Sequence, residues 1–159
     1  MKPAQRLAQF VFKLTYSSLP PEVSKAGMRH LLDTVGVGIL GSESAMPRAA
    51  FEGIQKLPSI GSAAVWGRKE RMVAPYAAMA NGISAHVLDY DDTHSEGIVH
   101  GSACIAPVVL ALGEAEDVGG KGMLEAFVAG WEVAARVGLA AKGTMHQRGF
   151  HTTSGAGGF

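Results

Sequence analysis

Histidines and aspartates concentrate in one short segment of this sequence. From His86 to His100 the chain places three histidines and three aspartates within 15 residues, and His151 follows in the segment GFHTT. Ionised groups packed this closely raise one another's free energy unless they are paired or solvated. The pattern therefore indicates either a site that uses these charges or a solvated acidic loop at a helix end. The side chains that could do chemistry are His86, Asp89, Asp91, Asp92, Thr93, His94, His100 and His151.

One interpretation of this segment is a phosphoryl-transfer site. The order Asp89-x-Asp91-x-Thr93 matches the nucleophile motif of haloacid-dehalogenase-type phosphatases. That motif needs a buried strand in front of it. The residues before Asp89 are rich in alanine and follow a helical pattern, which disfavours this interpretation.

Two further interpretations use the histidines. A metal site formed by His86, Asp89, His94 and His100 is chemically reasonable, because imidazole and carboxylate suit zinc, iron or manganese, although the spacing matches no standard metal motif. Metal-free acid/base catalysis is the alternative, since an unperturbed histidine pKa of about 6.5 allows proton transfer near neutrality. The single cysteine, Cys104, excludes an internal disulfide and an all-cysteine metal site built from this chain.

The elements that must position these residues are predicted to be helices. Apolar residues recur at helical spacing in six stretches, near residues 3–14, 21–41, 47–57, 73–87, 105–119 and 121–142. Asn81-Gly82 is a hairpin signal inside the fourth stretch, but neither flank alternates with period two, which favours the helix. Residues 62–67 are predicted to be a short strand or extended connection, and residues 143–159 a loop. We therefore predict an all-α bundle of about six helices in one domain.

Composition limits the function classes. The 159 residues include 47% hydrophobic and 18% charged residues, which argues against disorder. Basic and acidic residues balance at 14 each, so nucleic-acid or membrane-surface binding is not expected. The sequence contains no long apolar run and no secretory leader, so we expect a cytoplasmic protein. Residues 1–80 carry ten basic and five acidic residues, whereas residues 81–159 carry four basic and nine acidic ones.

The motifs taken together resemble the MmgE/PrpD family. The resemblance lies in their order, and it covers nearly the whole chain from the early Leu32-Asp33-x-x-Gly36 helix onward. The motifs that carry it are Ala80-Asn-Gly82, His86-x-Leu-Asp89-Tyr-Asp91-Asp92-Thr93-His94, His100-x-Ser102, Gly130-Trp-Glu132 with Arg136 and Gly138, and Gly-Phe-His151-x-Thr. The family includes 2-methylcitrate dehydratase, cis-aconitate decarboxylase and an iminodisuccinate epimerase.

The resemblance implies a helical domain, here residues 1–159, joined to a smaller lid domain that this chain does not include. It implies a homodimeric, cofactor-free and metal-free lyase that acts on di- or tricarboxylates. His100, His151 and Asp89 are then expected to be catalytic. Thr93 and Arg148 are expected to bind substrate. The supporting residues are expected to be His86, Asp91, Asp92 and His94.

The chain departs from the family pattern in two ways. It has Gly101 where the family commonly has proline between histidine and serine, which is expected to loosen the backbone after His100. It also ends soon after His151, and Arg148 is the only formal cation near a proposed site motif. We therefore expect the isolated chain to be inactive and to expose an apolar surface. The alternative is a non-catalytic helical relic or one part of a split enzyme that binds a partner chain.

Overall fold

The computed structural model of the protein describes residues 2–158, and most of them are helical. The helices are α1 Pro3–Lys13, α2 Pro21–Gly41, α3 Ala45–Ile54, α4 Ala74–His86, α5 Gly101–Ala115, α6 Gly120–Ala141, α7 Thr144–Gln147 and α8 Thr152–Ala156, with a 3-10 turn at Tyr16–Ser18. Two short antiparallel strands, β1 Ala63–Ala64 and β2 Arg71–Met72, pair between α3 and α4. The predicted all-α class is confirmed.

Helices α4 and α5 form the centre of the bundle and carry the site at one end. Helix α2 packs against both of them, α3 packs on α4, and α6 packs on α5 and α8. The buried positions of α4 and α5 are mostly small, such as Ala77 and Ala106, each with 0% exposure. Small side chains let helix axes approach closely, and larger ones from the neighbouring helices fill the remaining space. Phe127 of α6, with 2% exposure, is the largest of these fully buried side chains.

The crossing of α2 and α4 requires glycine at one position. A Cβ atom on Gly41, the last residue of α2, would lie 2.1 Å from the backbone oxygen of Ser84 in α4. No larger residue fits there without moving one helix. Gly41 therefore both ends α2, as its position in the sequence predicts, and sets how closely α2 approaches the helix that carries His86.

Asn81 lies within α4 and connects this helix to the strands. Its side chain accepts a hydrogen bond from the Trp66 backbone N–H at 2.8 Å and donates one to the Ala64 carbonyl at 2.9 Å. The residue is 1% exposed. The asparagine of the Asn81-Gly82 pair thus satisfies backbone groups beside the real hairpin at β1 and β2, and the helix predicted over this pair is confirmed.

The prediction for residues 143–159 was wrong in part. The described portion, up to residue 158, contains the short helices α7 and α8 in place of a continuous loop. Both are too short to show apolar periodicity, and their residues are small or polar. Thr152, Thr153 and Ala156 are nevertheless buried, because α8 packs on α6. No helix among residues 2–158 combines the length and apolar character needed to cross a bilayer.

Candidate functional site

The site lies where three helix ends meet. His86 is the last residue of α4, His100 directly precedes the first turn of α5, and His151 directly precedes α8. The ring centroids of His86 and His100 are 5.0 Å apart, those of His86 and His151 are 5.3 Å apart, and those of His100 and His151 are 6.0 Å apart. The fold thus brings together three histidines that the sequence separates by up to 65 positions.

The Asp91 carboxylate lies beneath this group of rings and contacts two of them. Its Oδ2 atom lies 2.9 Å from Nδ1 of His86 and 3.3 Å from Nδ1 of His100. The Asp91 side chain is completely buried, and its Oδ1 atom has no hydrogen-bond partner. An ionised carboxylate can only accept, so His86 donates its Nδ1–H to Asp91, and Nδ1 of His100 lies within ion-pair distance of the same oxygen. Asp91, for which a supporting role was expected, thus contacts two of the three rings.

The contact with Asp91 orients the catalytic candidate His100. When Nδ1 carries the proton, Nε2 keeps its lone pair, and this arrangement makes Nε2 the basic atom. Nε2 lies 3.9 Å from a carboxylate oxygen of Asp89, and Nδ1 lies 3.3 Å from the hydroxyl of Thr93. The backbone N–H of His100 donates to the Thr153 hydroxyl at 3.0 Å, which ties the residue to α8. Asp89, expected to be catalytic, and Thr93, expected to bind substrate, therefore both lie beside His100.

Asp89 has a backbone conformation that exposes its carboxylate. Its φ of +53° is in the left-handed region, which aspartate tolerates better than most residues, and its backbone N–H bonds to the His86 carbonyl as the helix ends. The side chain is 80% exposed. Although they are only two positions apart, Asp89 has an exposed carboxylate and Asp91 a buried one.

An open cleft of about 720 Å³ lies next to the histidines. His86, Cys104, His151 and Thr153 supply its polar wall, and Met46, Met79 and Ile83 are among its apolar lining residues. No lysine or arginine lines this cleft among the described residues. Arg148 is exposed and lines a neighbouring cleft that also includes His151. The two clefts share His151, so this ring is accessible from both sides.

A second hydrogen-bond network fixes the beginning of α5. Asp92 accepts hydrogen bonds from the Ser102 backbone N–H at 3.0 Å and from the Ser102 hydroxyl, and it pairs with His30 of α2. The indole N–H of Trp131 donates to the Ser102 hydroxyl at 3.0 Å. Sequence reasoning missed His30, because its distance along the chain from the motif gives no signal. The network holds the backbone two residues after His100.

His94 stabilises the loop and is not part of the histidine cluster. It pairs with Val99 through backbone hydrogen bonds of 2.8 and 3.4 Å, and its Nδ1 accepts from the Gly97 N–H at 3.0 Å. Ile98 closes this tight turn with a φ of +52°, a strained conformation for a β-branched residue. Gly138 of α6 makes room for the turn, since a Cβ there would lie 2.5 Å from Val99 Cγ2. The supporting role expected for His94 stays a prediction.

Gly101 is buried under the indole of Trp131. A Cβ at position 101 would lie 2.6 Å from Cε2 of Trp131. The ring therefore occupies the space that a proline at this position would need. Glycine was expected to loosen the backbone after His100. In the structure the Trp131 ring packs on Gly101 and Ser102 hydrogen-bonds to Asp92, and both contacts restrain this part of the backbone.

Cys104 is a half-buried thiol on the cleft wall. Its burial raises the pKa of the thiol, and the negative charge of Asp91 raises it further. Both causes favour the neutral form, so the thiol stays protonated near neutral pH. It therefore contributes bulk rather than charge to the cleft.

One set of groups could hold a metal ion. Ligand atoms of His86, Asp89, Asp91 and His100 all lie within 4.8 Å of one another. The set considered from the sequence included His94, whose Nδ1 is engaged with Gly97, and it omitted the buried Asp91.

Comparison with known proteins gives one family. The family model of the MmgE/PrpD N-terminal domain matches residues 5–159. This chain belongs to the MmgE/PrpD family. Its curated relatives include cis-aconitate decarboxylase of Mus musculus, 32% identical over 84% of this chain, and that of Homo sapiens, 33% identical over 84%. A cis-aconitate decarboxylase-like protein, oryM, of Aspergillus oryzae is 29% identical over 92% of this chain.

Family membership confirms the resemblance, and the match covers less than a third of each relative's length. The MmgE/PrpD chain described here spans 28% of the length of the two mammalian relatives and 32% of the fungal one. All the site residues predicted from the sequence lie within the matched domain. His86, Asp89, Asp91, Thr93 and His100 form one cluster with His151 at its edge, whereas Asp92 and His94 support it and Arg148 lies outside it.

Proposed function

We propose that this chain is the helical, proton-transferring part of a lyase that acts on di- or tricarboxylates, with cis-aconitate as the first candidate substrate. The observation that carries the proposal is the convergence of His86, His100 and His151 around the buried Asp91 carboxylate beside an open cleft. The relatives named cis-aconitate decarboxylase support this choice of substrate.

The chemistry requires a proton at a carbon atom. In decarboxylation the bond to one carboxyl group breaks, carbon dioxide leaves, and the electron pair that stays on the carbon chain must be protonated. An imidazolium at His100 or His151 supplies that proton. In dehydration, the runner-up reaction, one imidazole removes a proton next to a carboxylate and a second protonates the departing hydroxyl. Both routes need two groups of moderate pKa on one cleft, and neither needs a metal or cofactor.

The remaining residues have binding and orienting roles in this proposal. Asp91, 3.3 Å from Nδ1 of His100, and Asp89, 3.9 Å from Nε2, stabilise the imidazolium when it forms. Thr93 offers a hydroxyl beside the ring, and Arg148 is placed to contact a carboxylate in the neighbouring cleft that includes His151.

A substrate with three carboxylates requires more positive charge than this cleft offers. Among the described residues its lining contains histidines but neither lysine nor arginine. One arginine and two histidines would stabilise such an anion poorly, because charge-assisted hydrogen bonds supply most of the binding of carboxylates. We therefore propose that cations from a second copy of the chain, or from segments that correspond to the rest of the relatives' length, complete the pocket.

Substrate binding and turnover can be tested separately on the purified chain. Cis-aconitate is titrated while the imidazole resonances of the histidines are followed by NMR, and carbon dioxide release is measured in the same samples. We expect the signals of His100 and His151 to shift, and His100→Ala to abolish the response at His151. His146→Ala is the matched control, because His146 lies on the exposed helix α7. Binding without turnover would support an incomplete site, whereas neither binding nor turnover would contradict the proposal.

A second candidate function, a helical module that binds a partner chain, is favoured by the surface of α2. Four large apolar side chains of this helix are exposed, namely Met28 at 51%, Leu32 at 76%, Ile39 at 49% and Leu40 at 61%, and the first three share one face at helical spacing. Exposed apolar area of this kind marks interaction surfaces. We propose that a second copy covers it in the expected homodimer. Sedimentation of Leu32→Asp should then show fewer dimers than wild type, and Phe12→Asp, at an 89% exposed position of α1, should not.

A further inference from the structure

Asp91 lies at distances from two histidines that are close to the ligand separations of a metal coordination shell. Asp91 Oδ2 is 2.9 Å from His86 Nδ1 and 3.3 Å from His100 Nδ1. Tetrahedral zinc with bonds of about 2.0–2.1 Å holds its ligand atoms about 3.3 Å apart. The candidate ligand atoms of His86, Asp91 and His100, together with one of Asp89, all lie within 4.8 Å of one another, so one ion could contact them after a local adjustment of the side chains.

The second observation is the unsatisfied oxygen of Asp91. The carboxylate has no exposed surface, yet its Oδ1 atom has no hydrogen-bond partner. A buried charge with an unused acceptor is costly unless a cation or donor reaches it. No lysine or arginine is paired with Asp91 in the described part of the chain, so the two imidazoles are the groups that offset its charge.

We propose that His86, Asp91 and His100 form a binding site for one divalent transition-metal ion of the zinc class. The exposed carboxylate of Asp89, within 4.8 Å of the other ligand atoms, or a water molecule supplies the fourth position. Two nitrogen ligands and one or two carboxylate oxygens select zinc, cobalt or nickel over magnesium and calcium, which prefer oxygen ligands alone. The ion is a ligand of the site and not a cofactor of the reaction.

Metal binding and proton transfer use the same rings. When a metal occupies Nδ1, the remaining ring proton lies on Nε2, so Nε2 can no longer accept a proton and the metal-bound form is a blocked form of the site. This consequence rests on the proposed lyase function, whereas the binding itself does not. Excess zinc would then compete with the carboxylate substrate for the site.

The test is a titration of the purified, tag-free chain with Co²⁺, followed by displacement with Zn²⁺. Tetrahedral cobalt gives intense visible absorption, so the spectrum reports geometry as well as stoichiometry. We expect one equivalent of Co²⁺ to bind with a tetrahedral spectrum that Zn²⁺ abolishes. His86→Gln and His100→Gln should each weaken cobalt binding by at least about tenfold. Even mutation of residues that only hydrogen-bond to metal ligands lowers metal affinity about 10–100-fold. His146→Gln, a change outside the cluster, should leave the titration unchanged.

Circular dichroism establishes which variants are folded. If His100→Gln does not fold, His86→Gln decides the question, because the His86 side chain is 36% exposed and tolerates replacement better. Absence of a stoichiometric tetrahedral cobalt species in wild type would overturn the proposal, and so would full affinity in a folded His86→Gln variant. No readout involves turnover, so the lyase proposal and the metal proposal can fail independently.

Discussion

The buried carboxylate of Asp91 lies 2.9 Å from Nδ1 of His86, the residue that ends α4. The chain leaves the helix, turns at Asp89, where φ is positive, and returns so that residue 91 faces the helix end it has just left. This return places one carboxylate between two imidazoles, since His100 meets the same oxygen from the start of α5. The local backbone, rather than a long-range contact, thus creates the charged centre of the site.

Removal of the Asp91 carboxylate should destabilise the fold. In Asp91→Ala, the His86 imidazole N–H loses its acceptor and His100 loses a neighbouring carboxylate, and the loss of a buried acceptor costs about 1–3 kcal/mol. Asp91→Asn keeps the shape and one acceptor oxygen, so we expect a smaller loss. The free energy of unfolding from urea titrations, followed by tryptophan fluorescence, measures both. Equal stability of wild type and Asp91→Ala would contradict the structural role assigned to this residue.

Two glycines in long helices should respond to alanine in opposite directions. A Cβ at Gly138 in α6 would lie 2.5 Å from Val99 Cγ2 and 2.7 Å from the Gly97 carbonyl, so Gly138→Ala should cost about 1–3 kcal/mol and displace the His94–Val99 turn. A Cβ at Gly36 in α2 would meet nothing within 4 Å, so Gly36→Ala should stabilise by up to about 1 kcal/mol. Thermal unfolding of the pair provides the measurement. A loss of stability in Gly36→Ala would indicate that another chain covers α2 closely at this point.

The long helices could be predicted from the sequence because their apolar or small residues recur at helical spacing, and because proline or glycine marks several of their ends. Pro3 and Pro21 lie at the first positions of α1 and α2, and Gly41 ends α2, as predicted. Helices α7 and α8 could not be predicted, because four or five residues show no periodicity and their formation depends on contacts with the rest of the fold.

The site was predictable as a set of residues but not as an arrangement. Composition singled out the histidines and aspartates, and the family resemblance ranked them. Neither could show that Asp91 is buried while Asp89 is exposed, because that difference depends on one positive φ angle. Neither could show that His30 reaches Asp92, since that contact joins α2 to a distant loop.

The thiol of Cys104 should make stability depend on alkaline pH. Burial and the charge of Asp91 raise its pKa in the folded state. The unfolded chain therefore releases this proton first, above about pH 8.5, and the folded state loses relative stability as pH rises through that range. Cys104→Ala should show a flatter profile of unfolding free energy between pH 7 and 10 than wild type. Identical pH slopes of the unfolding free energy in wild type and Cys104→Ala would contradict this assignment. Asp91→Asn removes one cause of the raised pKa, so its profile should also be flatter than that of wild type.

Asp92 should contribute more to stability than the histidine it pairs with. Asp92→Ala leaves the Ser102 backbone N–H and hydroxyl without their acceptor in a fully buried position, which costs about 1–3 kcal/mol. His30→Ala removes a side chain that is 42% exposed, and pairs at such positions contribute about 1 kcal/mol or less. Urea unfolding of the two single variants and the double variant gives the contribution of each side chain to the free energy of unfolding and the coupling between them. If the network holds the start of α5 as the geometry indicates, Asp92→Ala alone should also speed hydrogen exchange of the amides that follow His100. If His30→Ala lost more unfolding free energy than Asp92→Ala, the contact with α2, and not the hydrogen bonds to Ser102, would be the one that holds this loop in place.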